Sequence, residues 1–294
     1  MRLCRFGDNR LGIVDPGGDT VADVSAALKV LPAQRYPLPN HDLMIANLPK
    51  VKAAAKRLLP RAKKTPLSRV KLLAPVANPG KIIIAPVNYA DHLEEAAKDP
   101  QLAHGRDMKT AEIGRWGMAM KAVSALVGPS EGVKLRRPLA GMENRNDHEL
   151  ELVAVVGRRG TNIKREDGLK YIAGYCIGLD MSLRGPQFPC FRKSIDTYAV
   201  VGPWMVTADE FGSPDAVDIE LSVNGEPRQK SNTRYLVYDV ARLVEFASSF
   251  YTLEPGDLIY SGTPAGVGPV KPGDEMHAGV DGVGELKVNM LPAL

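Results

Sequence analysis

Cysteine and long apolar runs are both scarce in this sequence, and each shortage argues against a class of protein. Its 294 residues contain three cysteines, Cys4, Cys176 and Cys190, with no CxxC spacing. So sparse and odd a set argues against a disulfide framework and against a zinc ribbon. Its apolar stretches are short, such as Ile82-Ile83-Ile84-Ala85-Pro86-Val87, and none approaches the ~20 residues a membrane-spanning helix needs. The opening Met1-Arg2-Leu3-Cys4-Arg5-Phe6 lacks the apolar core of a secretory leader. The default expectation is therefore a cytoplasmic chain with no membrane partner. Repeats with a period of roughly 20–50 residues are absent, and so are low-complexity tracts.

Hydrophobic residues make up 44% of the chain and charged residues 24%. A packed core is expected rather than global disorder. The length suits one large domain, alone or with a small appendage. Net charge is +4 with a pI near 8.8. The densest basic stretch, Lys50 to Lys64, alternates with Ala and Leu and reads as an amphipathic helix with a solvated face. That pattern does not point to nucleic acid, a reading that a salt-titrated binding assay would test.

The N-terminal 75 residues read as a small α+β unit. Arg2–Phe6 and Arg10–Val14 look like strands. Thr20–Leu31 and Lys50–Leu59 look like helices, and Pro60–Ser68 like a linker. The texture then changes over residues 76–294. Strand-like runs recur at Lys81–Val87, Glu149–Val156, Ile172–Leu179, Asp218–Val223, Asp257–Ser261 and Glu285–Asn289, punctuated by Gly and Pro. Asn224-Gly225 is a hairpin turn signal. Helical pattern is limited to Asp91–Ala97, Arg165–Tyr171 and Leu236–Phe250. A β-rich α+β fold follows, with a mixed roll- or sandwich-like core and a small N-terminal domain.

Four segments hold candidate chemistry. In Asp147-His148-Glu149-Leu150-Glu151, side chains two apart on a strand share a face, which sets Glu149 and Glu151 side by side, roughly 7 Å apart at the backbone. With Asp180, at the end of the next strand, they would form an all-oxygen site suited to magnesium, manganese or calcium rather than zinc. In Asn88-Tyr89-Ala90-Asp91-His92-Leu93-Glu94-Glu95, His92 and Glu95 lie three apart on a helix face, the arrangement of a general base for activating water. Lys193, in Phe191-Arg192-Lys193-Ser194, could offset charge on an oxyanion. The loop Ser261-Gly262-Thr263-Pro264-Ala265-Gly266-Val267-Gly268 offers amides and the Thr263 hydroxyl to a carboxylate or carbonyl oxygen. It is neither a Rossmann fingerprint nor a P-loop. Each segment alone also has an ordinary reading: a solvent-facing Glu pair answering Arg158 and Arg159, a helix start capped by Asn88, a surface lysine, a tight turn.

The order and wording of these segments resemble the fumarylacetoacetate hydrolase family from about Lys81 onward. Besides Asn88–His92 and Asp147–Glu151, the matching phrases are Gly174–Asp180, Gly202-Pro203-Trp204, Val223–Glu226, Leu253–Asp257 and Gly262–Gly268. The resemblance implies Glu149, Glu151 and Asp180 as metal ligands and Lys193 as the active-site lysine. It implies His92 with Glu95 as the dyad of hydrolytic members, and Tyr89, Arg184, Gln187 and Thr263 as substrate-facing. It also implies a β-roll fold, often dimeric. Leu179 and Gly185 stand where the family usually has an Asn and an acidic residue. The long stretch Glu95–Lys121, carrying Arg106, Lys109, Arg115 and Trp116, is a candidate lid. The leading expectation is a magnesium-dependent hydrolase cleaving a carbon–carbon bond in an acylpyruvate or 1,3-dicarbonyl acid. A 2-oxo acid decarboxylase, a hydratase, an isomerase and a non-catalytic metal-stabilised binding protein stay open.

Overall fold

The computed structural model describes residues 1–103, 107–137 and 145–292. The strands Ile172–Asp180 and Ala199–Thr207 are buried along their whole length. Both faces of the sheet around them are covered, so these strands read as near-continuous apolar runs. They pair antiparallel at the middle of a 12-stranded sheet. On one side follow Leu150–Val156, Leu258–Tyr260, Ile82–Ile84 and Ala119–Lys121. On the other side follow Arg2–Phe6, Arg10–Val14, Thr20–Asp23 and Lys64–Pro66.

Side chains alternate across this sheet. In Leu150–Val156, residues Leu152, Ala154 and Val156 enter one core, and Val153 and Val155 enter the other. The helix Leu48–Leu58 covers the second core with Leu48, Val51, Ala54 and Ala55. A 5-stranded sheet and the helix Val240–Phe250 cover the first. A small 3-stranded sheet joins Asn146–His148 to Ser182–Leu183 and Gly268–Val270. No helix among the described residues is long and apolar enough to cross a membrane.

Several expectations change. Thr20–Leu31 is not a helix: Thr20–Asp23 is a strand, followed by a 3-10 turn over Ser25–Val30. Pro60–Ser68 is not a plain linker, because Lys64–Pro66 pairs with Thr20–Ala22. In both places strand pairing overrode local pattern. Because Arg2 and Leu3 pair with Val206 and Met205, the N-terminal strands continue the main sheet. The strand expected over Glu149–Val156 opens one residue later, at Leu150. The chain leaves the small sheet at His148 and joins the main sheet at Leu150, with Glu149 at the switch. The last helix starts only at Val240, where the Asp239 side chain accepts from the Arg242 amide at 2.8 Å. Strands over Ala199–Thr207, Glu226–Asn232 and Glu275–Val280 had no clean sequence signal: the first carries Gly202-Pro203 and the second is polar throughout.

Candidate metal centre and active site

Strand ends carrying Ile84, Ala119, Glu151 and Asp180, the helix carrying His92 and the loop carrying Thr263 meet at one cavity of about 210 Å³. Glu149, Glu151 and Asp180 form its floor, each with a carboxylate oxygen within 4.8 Å of the others. All three are buried, at 5%, 1% and 1% exposure. A solvent-facing Glu pair answering Arg158 and Arg159 is therefore not what the fold builds; Arg159 pairs with Glu254 instead. The Glu149 carbonyl accepts from the Asp180 amide at 2.9 Å, which ties the two strand ends together.

Cations surround this floor. Lys193 Nζ donates to Glu149 at 2.6 Å and to Asp180 at 2.5 Å. Arg184 bridges Asp147, at 2.7 Å from Nε, and Glu149, at 2.6 Å from Nη2. Lys121, fully buried, donates to Asp180 and to the Met181 carbonyl. Burial alone would raise the Glu149 carboxyl, but Lys193, Arg184 and His92 outweigh it and hold it well below the usual range. Glu151 goes the other way: burial, Asp180 and Glu149 push it well above. Lys193 keeps its proton, because Asp180 and Glu149 outweigh the burial that would lower it. Carboxylate repulsion therefore stays concentrated on Glu151, and a divalent cation among the three would relieve it. An all-oxygen donor set of this charge fits such a cation.

His92 lines the cavity from the helix Ala90–Lys98. Its Nδ1 lies 2.9 Å from Glu95 Oε2, and Glu95 Oε1 accepts from the Gly266 amide at 3.0 Å. Burial would raise Glu95, but hydrogen bonds from His92 and the Gly266 amide hold it below its ordinary value. Asn88 is not the helix cap. Its side chain bonds Tyr238 and the Ser261 carbonyl, fastening this turn to the Gly-Thr-Pro loop. Just before it, Val87 takes φ +43°, a cost that β-branched residues bear only where the surroundings enforce it.

Two glycines let that loop approach the carboxylates. Gly262, at φ +96°, donates its amide to Glu151 at 2.5 Å, and a Cβ there would meet Asn88 at 2.6 Å. Gly266, at φ +94°, would place a Cβ 1.9 Å from the Arg228 carbonyl. Of the four residues expected to face substrate, Thr263 and Arg184 line the cavity. Tyr89 is 0% exposed and lies in the core beside it. Gln187 lies outside the lining, its carbonyl accepting from Arg192 Nε at 2.8 Å. The cavity's cover includes Leu102, Met108 and Trp116 from the expected lid. Arg115 is exposed. Arg106 and the side chain of Lys109 lie outside the described residues.

Residues 81–290 match the C-terminal domain of fumarylacetoacetate (FAA) hydrolase. The chain belongs to the fumarylacetoacetate hydrolase family. A maleylpyruvate hydrolase from Aquipseudomonas alcaligenes is 50% identical over 288 residues, covering 98% of each chain. The maleylpyruvate hydrolase from Sphingobium sp. SYK-6, solved in complex with manganese(II) and pyruvate, superposes with a TM-score of 0.83 at 38% identity, covering 100% of each chain. A 5-carboxymethyl-2-hydroxymuconate delta-isomerase from Mycobacterium smegmatis superposes at 0.70 and 29% identity, over 99% of this chain and 100% of that one. The family fold therefore accounts for the sheet-rich α+β architecture, and the chain carries the carboxylate floor and a His–Glu dyad within it. Two participants escaped sequence reading. Lys121 had one signal, a lone lysine inside the apolar run Met118 to Val127. Gln229 is a polar residue opposite Leu221 on the buried face of a hairpin.

Proposed function

We propose that this chain hydrolyses the carbon–carbon bond of an acylpyruvate, a 2,4-dioxo acid of the maleylpyruvate type, giving pyruvate and a carboxylic acid. The observation that carries the reading is the His92–Glu95 dyad lining the same cavity as the three carboxylates and Lys193. A divalent cation, magnesium or manganese, held by Glu149, Glu151 and Asp180 would supply Lewis-acid polarisation of the substrate's oxygens.

Glu95 accepts a hydrogen bond from the Nδ1–H of His92, which leaves Nε2 as the basic nitrogen. That nitrogen removes a proton from water, and the hydroxide adds to the C4 carbonyl. Lys193, firmly protonated, offsets the negative charge that develops. The C3–C4 bond then breaks, its electron pair passing to C3 and into the C2 carbonyl as the enolate of pyruvate. C3 recovers the proton held by His92, and the acyl half leaves as the acid. Thr263 binds an oxygen of the 2-oxo acid. Arg184 holds Glu149 in place, and Tyr89 and Gln187 support the cavity wall from outside it. On the same footing we propose residues 1–75 as a small N-terminal domain whose strands extend the main sheet, a homodimeric assembly and a cytoplasmic location. The family resemblance supports the dimer, which light scattering would test.

The experiment is to incubate purified protein with maleylpyruvate, simpler acylpyruvates and oxaloacetate, with magnesium, manganese or EDTA, and to identify products by mass spectrometry. We expect pyruvate and maleate with metal and neither with EDTA. Conversion to an isomer without release of pyruvate would overturn the hydrolase reading.

A further inference from the structure

A single buried amide ties the Gly-Thr-Pro loop to the carboxylate-bearing strand. Gln229, on the strand Glu226–Asn232, is 2% exposed. Its Oε1 accepts from the Leu150 amide at 3.0 Å and faces His148 Nδ1 at 3.1 Å. Its Nε2 donates to Thr263 Oγ1 at 2.8 Å and to the Pro264 carbonyl at 2.9 Å. Two of the four contacts set the amide one way round: reversing it would face Nε2 with the Leu150 N–H and Oε1 with the Pro264 carbonyl.

This orientation decides what Thr263 does. An amide nitrogen only donates, so Thr263 Oγ1 accepts from it, and the threonine's own hydrogen is left for another partner. Among the described residues no acceptor meets that hydrogen. Thr263 is 3% exposed and lines the cavity. A buried donor without a partner is costly, and an oxygen entering the cavity would satisfy it.

We propose that Gln229 is a positioning residue that holds the Thr263 hydroxyl as a hydrogen-bond donor into the cavity, aimed at a carboxylate or carbonyl oxygen of the bound 2-oxo acid. The proposal rests on the acylpyruvate reading and deepens it. It predicts that Gln229 and Thr263 act as one unit in ligand binding.

The test is a double-mutant cycle read by pyruvate binding to the manganese-loaded protein, alongside kcat, KM and Tm. Thr263→Val and Gln229→Met should each weaken pyruvate binding roughly 10- to 100-fold, the worth of a hydrogen bond to a charged oxygen. The double variant should be no weaker than the poorer single one. Thr263→Ser, which keeps the hydroxyl, should restore binding. If Gln229→Met does not fold, Gln229→Glu serves: its carboxylate accepts the Thr263 hydrogen, so it should bind pyruvate as poorly as Thr263→Val. Multiplying effects in the double variant, or a lowered Tm with pyruvate affinity intact, overturns the proposal. Acylpyruvate turnover by wild type with unchanged pyruvate affinity in the variants sinks this proposal and leaves the function standing. Weakened, non-additive pyruvate binding in a protein that turns over no acylpyruvate does the reverse.

Discussion

At the cavity, the Lys121–Asp180 pair keeps 0% and 2% of its side chains in water; on the N-terminal strands, Arg10 and Asp23 keep 49% and 30%. Both regions belong to one continuous sheet. Exposed pairs are screened and nearly interchangeable with solvent, so their loss changes little. Buried charges are held only by one another, and removing one leaves the rest uncompensated. The cavity wall therefore keeps charges that folding alone would not select, and the N-terminal strands keep charges that folding hardly notices.

The sharpest way to break this comparison is Glu151→Gln. Loss of a proposed ligand should reduce manganese affinity and turnover by more than the ~10–100-fold that losing an outer contact costs, as titration calorimetry and product assays would show. The metal-free protein should respond in the opposite sense. The Glu151 carboxyl is raised in the folded state by burial, Asp180 and Glu149. Its contribution to stability is thus full below the ordinary carboxylate range and lost as pH rises through the raised value. Glu151→Gln should remove that loss, so metal-free wild type should weaken towards neutral pH more than the variant. Equal profiles would mean the repulsion is absorbed elsewhere.

His92→Ala comes next. Turnover should fall ~10²–10⁴-fold, the usual contribution of a general base, with manganese affinity intact. Retained turnover would remove the water-activating role. Lys121→Met should destabilise the metal-free protein by about 3–5 kcal/mol, the cost of breaking a buried pair, and less when manganese compensates Asp180. Denaturant unfolding with and without metal would separate the two, and an identical loss in both would detach Lys121 from the centre. The smallest effect belongs to the surface. Hydrogen bonds from Lys52 and Thr207 depress Asp209 to about 2. Any stability from this pair is present above the ordinary Asp value and lost as pH falls towards about 2. Since Asp209 is largely exposed, Lys52→Met should cost roughly 0.2–1 kcal/mol near neutrality and leave kcat unchanged. A larger loss would mean that this surface bears more of the fold than its exposure suggests.

Much of the fold was legible wherever the pattern is local. Ile172–Leu179 and Asp218–Val223 read correctly because a run of covered residues or a strict alternation identifies a strand. Thr20–Leu31 misled because its apolar spacing also suits a helix, and only pairing with Gly12–Val14 on one side and Lys64–Pro66 on the other makes part of it a strand. The polar strand holding Gln229 was invisible, since none of its seven residues is β-branched or aromatic.

The sequence by itself determined what adjacency determines: His92 and Glu95 one helical turn apart, the two glutamates around Leu150, the Asn224-Gly225 turn, and the ordered phrases that mark the family. Tertiary structure alone decided that Glu149 sits at a switch between sheets, that Lys121 lies under Asp180, and that Gln229 directs the Thr263 hydroxyl. The physical reason is range. Spacing along a chain sets which neighbours share a face, whereas burial and hydrogen-bond direction depend on which distant strands close over them.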